Sequence, residues 1–165
     1  MVADVVADVE AARARSAVER GVREALQSVD DPEYPGVSVV DMGMIEALEI
    51  DGDRVSIELL TTFSGCPAAE MITADVAEAV GEVEGVADVT VRRSRRDWDT
   101  ARLTDKARAA MAREFTVAVA LPSSPAQCPC CGSEALVEQS LFGPARCRAV
   151  HRCKSCGEVV EVLRA

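Results

Sequence analysis

The stretch MIEALEIDGDRVSIELLTTFSGCPAAEMI, residues 44–72, decides the fold of the first part of this 165-residue chain. Its two halves MIEALEI and RVSIELL alternate apolar and polar residues around the turn DGD, which predicts a β-hairpin. From Pro67 to about Gly81 the apolar residues recur instead at the helical period, on one side of the segment. A hairpin therefore leads into a helix, and Cys66 lies at their junction.

The residues on either side of this stretch predict further helices and strands. A helix is predicted for about residues 5–28, because apolar residues fall on one face, and the prolines and glycine of DDPEYPG end it. VADVTV (86–91) alternates again and predicts a third strand. A last helix is predicted near Thr104–Glu114, where Thr104 and Asp105 can cap it. The predicted order is α-β-β-α-β-α, an α+β sandwich in which helices cover one sheet.

The tail of the chain carries six of the seven cysteines. Cys128-x2-Cys131 and Cys153-x2-Cys156 form two pairs separated by 21 residues, and a glycine follows each pair. Four thiolates in this spacing match the tetrahedral preference of Zn²⁺ at a closed structural site. We therefore predict a C-terminal zinc ribbon over residues 128–165, whose folding free energy comes mostly from the metal. A four-cysteine iron site, an iron–sulfur cluster and unliganded buried thiols are the alternatives.

Two further cysteines and the single histidine of the tail are not needed by this site. Cys130 lies inside the first pair and is expected to be an exposed bystander, although a pairing of Cys128 with Cys130 stays open. Cys147 is expected to be a small buried residue rather than a ligand. His151 is expected to lie on the face of a strand.

Composition and charge exclude several classes of protein. The net charge of −10 and the pI near 4.6 argue against nucleic acid as the main partner, since phosphate binding needs a basic surface. No apolar stretch reaches the roughly 18 residues that a membrane span needs, and the N-terminus lacks the pattern of a signal peptide. We therefore expect a cytoplasmic protein, in which free thiols and zinc thiolates are commoner than disulfides.

Charge and composition also divide the chain. The net charge is −11 over residues 1–127 and +1 over residues 128–165, which indicates two modules. LPSSPAQ (121–127) has the composition of a linker. The predicted domains are therefore residues 1–120 and 128–165, joined by this linker.

Cys66 stands apart from the other thiols. A thiol at the start of a helix lies at the positive end of the helix dipole, which favours the thiolate by roughly 0.3–1 kcal/mol. DDPEYPGVSVVDMG supplies Asp31, Glu33 and Asp41, which together with Cys66 could hold a metal or a cluster transiently. Alternatively, Cys66 is an ordinary buried thiol, and the acids and Ser38 are caps and turn formers.

Four segments of the chain, in order, resemble the PaaD (or PaaJ) family: DPEYPGVSVVDMG, SGCPAAEMI, RDWDTARLTDKAR and CPCCGSEALVEQSLFGPARCRAVHRCKSCGE. The resemblance covers about residue 16 to the end. The first domain of that family is similar to the SufT-type iron–sulfur assembly domain, and the second is a zinc-ribbon-like tail. The chain departs from the family before the cysteine, where Leu60, Thr61, Thr62 and Phe63 stand in place of a Thr-Pro-Thr-Tyr run.

The resemblance implies an accessory subunit, not an enzyme by itself, of the phenylacetyl-CoA oxygenase (1,2-epoxidase) system in aerobic phenylacetate degradation. Its implied role is to mature or deliver an Fe–S cluster to an oxygenase component, with the Fe–S reductase as the expected partner. The expected cofactors are structural Zn²⁺ in the tail and a transient Fe–S cluster or iron, and neither nucleic acid nor a membrane is an expected partner. The residues implied around one site are Asp31, Pro32, Glu33, Ser38, Asp41, Gly43, Ser64, Gly65, Cys66 and Pro67.

The sequence lacks the patterns of an iron oxygenase or a nucleotide-binding protein. It has no Glu-x-x-His pair, only one histidine, and no Gly-x-Gly-x-x-Gly loop. One alternative is an interaction or scaffold subunit without cluster transfer, whose Arg92, Arg93, Arg95 and Arg96 face an acidic partner or solvent. Another is an enzyme with Cys66 as nucleophile, although no base lies near it in sequence. The oligomeric state stays open, with a homodimer as one option.

Overall fold

The computed structural model describes residues 2–163, with side chains described from residue 12 onward. Within these residues, three α-helices and nine strands form the predicted α+β class. The elements are α1 (Val2–Ser28), β1 (Asp30–Asp31), β2 (Tyr34–Ser38), β3 (Ile45–Asp51), β4 (Arg54–Leu59), α2 (Ala69–Gly81), β5 (Asp88–Arg93), α3 (Asp105–Glu114), β6 (Val117–Val119), β7 (Leu136–Ser140), β8 (Arg148–Cys153) and β9 (Val159–Leu163).

The predicted hairpin and the helix after it form the centre of the first sheet. β3 and β4 pair antiparallel, and Gly52 has the positive φ of +63° that their tight turn requires. α2 then crosses over the sheet, so that β5 pairs parallel to β4 in the order β3-β4-β5. Val55, Ile57 and Leu59 of β4 are buried and alternate with exposed residues, as the sequence pattern predicted.

Two predicted bounds need correction, and one pair of strands was not predicted. α2 begins at Ala69 rather than at Pro67, because Pro67 and Ala68 form a separate turn in which the carbonyl of Cys66 accepts from the N–H of Ala69 at 3.2 Å. β5 covers Asp88–Arg93, so it begins and ends two residues later than the predicted strand. The segment DDPEYPG, predicted only as a helix stop, holds the antiparallel pair β1-β2.

The end of the first domain follows the prediction for its last helix. Thr104 caps α3, because its hydroxyl accepts from the N–H of Ala107 at 3.1 Å. Among the described residues, no helix is long and apolar enough to cross a membrane.

A second sheet joins the tail to the rest of the chain. Its order is β6-β9-β8-β7, and β6 pairs parallel to β9. β6 lies before the predicted linker segment at 121–127, yet it belongs to the same sheet as the strands of the tail. Val117 of β6, Cys147 and Leu163 of β9 also lie in the same hydrophobic core as the buried residues of α1 and α2. The division at residues 120 and 128 stays a prediction, and the tail packs on the first domain through this shared core.

Candidate functional site

The structure brings the four predicted zinc ligands of the tail together. The sulfur of Cys128 lies 3.8 Å from that of Cys156, and the sulfur of Cys131 lies 3.6 Å from that of Cys153. All four sulfurs lie within 4.8 Å of one another. A tetrahedral zinc with Zn–S bonds of about 2.3 Å places its sulfurs about 3.8 Å apart, so this group fits Zn²⁺.

The two cysteine pairs have the same backbone geometry. The N–H of Gly132 donates to the carbonyl of Cys128 at 2.8 Å, and the N–H of Gly157 donates to that of Cys153 at 2.9 Å. Both glycines have positive φ, +74° and +83°, which glycine adopts without strain. Backbone N–H groups, above all that of Cys156, lower the pKa of Cys153 to about 6. The backbone of these turns therefore favours the thiolate at Cys153, whereas burial and the neighbouring thiols raise the pKa of Cys131 and Cys156.

The remaining residues of the tail are not part of the four-sulfur group. Cys131 rather than Cys130 contributes to it, and Cys130 is exposed. His151 lies on β8 between Glu138 of β7 and Val160 of β9. Cys147 is buried, as predicted, but it lies beside the first domain.

Cys66 lies in a turn between β4 and α2. Its N–H donates to the carbonyl of Phe63 at 3.0 Å, and its side chain is partly exposed. Gly65 has a steric reason to be glycine, because a Cβ there would lie 2.8 Å from the ring of Phe63. Ser64 and Pro67 on either side are exposed. The turn therefore fixes the backbone of Cys66 while leaving its thiol partly accessible.

The charge state of Cys66 differs from the expected one. Burial raises the pKa of the Cys66 thiol, and the carboxylates of Asp31 and Glu33 raise it as well. The N–H groups of Ala68 and Ala69 lower the pKa but do not outweigh these effects. The prediction that the helix start favours the thiolate is therefore wrong in its net effect. Burial and the two carboxylates therefore favour the protonated thiol, and a metal ion that binds Cys66 must displace the proton.

Asp31 and Glu33 form the acidic side of the Cys66 site. Asp31 is 5% exposed and accepts a hydrogen bond from the N–H of Glu33 at 2.8 Å. Burial raises the pKa of Asp31 to about 6. Glu33 accepts at 3.5 Å from the thiol of Cys147 and lies 3.5 Å from the guanidinium of Arg148. The structure thus places the predicted Asp-Pro-Glu loop near both Cys66 and the tail.

Asp41 has a different environment from the one expected. One carboxylate oxygen accepts from Gln27 at 2.7 Å, Lys106 at 2.7 Å and Ser38 at 3.1 Å, and the other accepts from Thr104 at 3.0 Å. Burial raises the pKa of Asp41, but these hydrogen bonds outweigh it and hold the pKa below its ordinary value. A metal ligand at this position would have to give up these partners. Asp41 and Ser38 therefore connect α1, β2 and α3 rather than facing Cys66.

Gly43 also has a structural role in this region. Its φ is +66°, and a Cβ there would lie 2.4 Å from the carbonyl oxygen of Arg102. Arg102 in turn donates to the carbonyl of Gly43 at 2.8 Å. Gly43 therefore allows two backbone segments to touch. Pro32, in the turn between β1 and β2, is exposed.

A cleft of about 1040 Å³ opens beside the Cys66 turn. Arg96 at its wall pairs with Glu46 at 2.5 Å. Arg93, Arg95 and Arg146 have no ion pair within residues 12–163. The lining consists of Thr61, Thr62, Phe63 and Ser64 from the turn, Arg93, Ser94, Arg95, Arg96, Asp97 and Trp98 after β5, and Phe142, Arg146 and Cys147 from the tail.

Sequence reasoning missed the contribution of the tail to this region. Cys147 was visible as a surplus cysteine, but no local pattern connects it to Glu33, which lies 114 residues earlier. Tyr34 and Arg148 were not singled out at all. Tyr34 directly follows Glu33 and Arg148 directly follows Cys147, and these positions were the only signal in the sequence.

The comparisons with known proteins agree with this arrangement of two modules. Residues 19–92 match the family described as iron–sulfur cluster assembly protein, and residues 113–164 match the PaaD zinc beta ribbon domain. The second match begins before β6, in accord with the pairing of β6 and β9.

Relatives of the whole chain and of its first domain are known. The chain is 31% identical over 148 residues to a protein of Escherichia coli K12 named as a subunit of 1,2-phenylacetyl-CoA epoxidase, and the match covers 84% of this chain and 88% of that one. It is 36% identical over 74 residues to an Fe-S protein maturation auxiliary factor of Porphyromonas gingivalis, covering 44% of this chain and 70% of the relative. The crystal structure of a domain of unknown function, DUF59, from Bacillus anthracis matches with a TM-score of 0.55 and 28% identity, over 59% of this chain and 94% of that one. With an iron–sulfur assembly domain, a PaaD zinc ribbon and this relative matched over most of both chains, the chain belongs to the PaaD family.

Proposed function

We propose that the chain is an accessory subunit of a phenylacetyl-CoA oxygenase (1,2-epoxidase) system that matures or delivers an Fe–S cluster to an oxygenase component. The names of the relatives support both halves of this proposal, because one is an epoxidase subunit and others are Fe–S maturation factors. We propose the Fe–S reductase of that system as the client, because it is the component that carries an Fe–S cluster.

The observation that carries the proposal is the contrast between two kinds of thiol. The four tail sulfurs can fill all four positions of a tetrahedral structural metal, although Cys131 and Cys156 are exposed to solvent. Cys66 lies outside that group, in a turn that leaves it partly exposed, and the carboxylates of Asp31 and Glu33 act on its pKa. A carrier needs a ligand that can exchange, and Cys66 meets that need while the four-sulfur group does not.

The neighbours of Cys66 suit the proton transfer that binding requires. The cluster is the cargo of this site, and the Cys66 thiol loses its proton when it becomes a ligand. A carboxylate whose pKa is about 6, as at Asp31, can accept a proton at neutral pH and return it when the cargo leaves. The protonated resting thiol also argues against a thiol enzyme, since the thiolate is the nucleophile. Zinc in the tail would hold the ribbon in the shape that packs on the first domain.

The test is the transfer of a cluster by a Cys66→Ala variant. The side chain is small and partly exposed, so we expect the variant to fold and to keep its zinc. It should fail to activate the cluster-free reductase in an anaerobic reconstitution, whereas Cys130→Ala, which removes an exposed thiol outside both sites, should act like the unmodified chain. Full oxygenase activity with Cys66→Ala would contradict the proposal.

A scaffold subunit without cluster transfer is the second candidate. The cleft with its unpaired arginines favours it, because such a surface suits an acidic partner. In that case Cys66→Ala would support full activity, and only variants of the cleft would reduce it.

A further inference from the structure

Cys147 of the tail reaches the acidic loop that faces Cys66. Its thiol donates to the carboxylate of Glu33 at 3.5 Å, and it is only 9% exposed. The carboxylate of Glu33 also raises the pKa of the Cys66 thiol. Cys147 lines the same cleft as Thr61–Ser64, the residues that lead into Cys66. From the tail, Cys147 thus contacts the same carboxylate that raises the pKa of the Cys66 thiol.

A second, independent observation comes from Tyr34. Its ring is 1% exposed, and its hydroxyl has no hydrogen-bond partner within the described residues. The charged and titratable neighbours of this hydroxyl are Arg148, Cys147, Glu33 and Asp31. Buried hydroxyls in proteins nearly always have a partner. This donor points into the same group of side chains and is available to a ligand bound among them.

Arg148 supplies a positive charge at the same place. Its guanidinium lies 3.5 Å from Glu33, 2.6 Å from Glu161, and 5.2 Å from the centre of the Tyr34 ring. A cluster held by thiolates carries negative charge, which a fixed cation nearby stabilises. The thiol of Cys147 therefore lies among carboxylate oxygens, a hydroxyl donor and a cation.

We propose that Cys147 is a second sulfur ligand of the cargo site that contains Cys66, so that the site is built from both domains. This inference rests on the proposed function and names a ligand that neither the assembly domain nor the four-sulfur group supplies. Within the described residues only the four tail cysteines gather their ligand atoms within 4.8 Å. Cys66 and Cys147 belong to no such group of three or more, and a polynuclear Fe–S cluster could accept both because its ligands bind different irons. Each thiol would give its proton to a neighbouring carboxylate or to solvent as its sulfur bonds to an iron, and the Tyr34 hydroxyl would be available to donate to the bound cluster.

The test is anaerobic reconstitution of the zinc-loaded chain with ferric iron, a thiol reductant and sulfide. We expect the unmodified chain to retain iron and sulfide beyond its zinc, with visible absorption from thiolate–iron bonds. Cys147→Ala, Cys147→Ser and Cys66→Ala should each reduce the retained iron at least tenfold. Cys130→Ala is the matched control, because it removes an exposed tail thiol, and it should retain the full amount.

The outcomes separate this inference from the proposed function. If the Cys147 variants retain as much iron as the unmodified chain while Cys66→Ala does not, Cys147 is no ligand and the proposed function stands. If the unmodified chain retains no more iron than Cys66→Ala, both are wrong.

A measurement without substitution covers the case in which a Cys147 variant loses its zinc or its helical circular dichroism. Alkylation of the zinc-loaded chain with iodoacetamide, read by mass spectrometry, should be slower at Cys66 and Cys147 after iron and sulfide are added. The rate at Cys130 should not change. An unchanged rate at Cys147, together with protection of Cys66, would overturn the inference.

Discussion

Replacing Asp31 with asparagine should make the protein more stable at neutral pH. The carboxyl group is 5% exposed, and burial raises its pKa from 3.8 to about 6. At about 1.4 kcal/mol per pKa unit, this rise corresponds to about 3 kcal/mol of unfolding free energy. Asparagine carries no charge and keeps an oxygen that can accept the hydrogen bond from the N–H of Glu33. The substitution should therefore recover much of this free energy.

The sign of the pH dependence follows from the direction of the shift. The pKa of Asp31 is higher in the folded chain than in the unfolded chain, so the folded chain binds more protons between about pH 4 and pH 6. The free energy of unfolding therefore falls as the pH rises through this range, and the full cost is present above about pH 6. The advantage of Asp31→Asn should grow from small at pH 4 to about 3 kcal/mol at pH 7.

Urea unfolding of the zinc-loaded chain at several pH values between 5 and 7.5 measures this difference. Asp30→Asn is the matched control, because it removes a carboxylate from the exposed neighbour on the same strand, and it should not bring a comparable gain in stability. An Asp31→Asn variant no more stable than the unmodified chain at pH 7 would refute the reasoning. So would an advantage equal at pH 5 and pH 7.5.

Two further predictions concern the tail and the cleft. Cys153→Ser should lose the zinc and unfold the ribbon, and it should also lower the urea midpoint of the first domain, because Val117 and Leu163 lie in the shared core. Zinc analysis together with circular dichroism checks this, and an unchanged midpoint for the helices would mean that the two modules fold independently. Reversing the charge of Arg95 and Arg146 to Glu should weaken binding of an oxygenase component mainly at low salt, since exposed charges are screened over about 10 Å at 0.1 M. Binding that does not change in a salt series would assign these arginines to a solvated face.

The sequence was most informative where structure depends on neighbours in the chain. Alternation gave the hairpin of β3 and β4, because successive side chains of a strand point to opposite faces. Thr104 caps α3 through a bond to Ala107, three residues away. The glycines after each cysteine pair adopt the positive φ that their turns require. Each of these features is set by contacts within a few residues.

The sequence was least informative where structure depends on distant contacts. β6 pairs with β9 across more than forty residues, and nothing in three residues of strand reveals that partner. Asp31 and Asp41 looked alike as acids in one segment, yet Asp31 is buried near Cys66 while Asp41 binds Lys106, 65 residues away. Local sequence shows which residues can be ligands, but tertiary contacts decide which carboxylates are already used.

The zinc group and the proposed cargo site are separate in space but share one strand. β8 begins next to Cys147 and ends at Cys153, and six residues of strand span about 20 Å. Direct exchange of a ligand over that distance is excluded, because a metal–sulfur bond is about 2.3 Å long. A structural metal bound by the four cysteines would instead fix one end of β8, and the pairing of β8 with β9 would hold Arg148 and Cys147 in place at the other end. A metal that never leaves the protein would in this way hold in place the ligand for a cluster that must leave it.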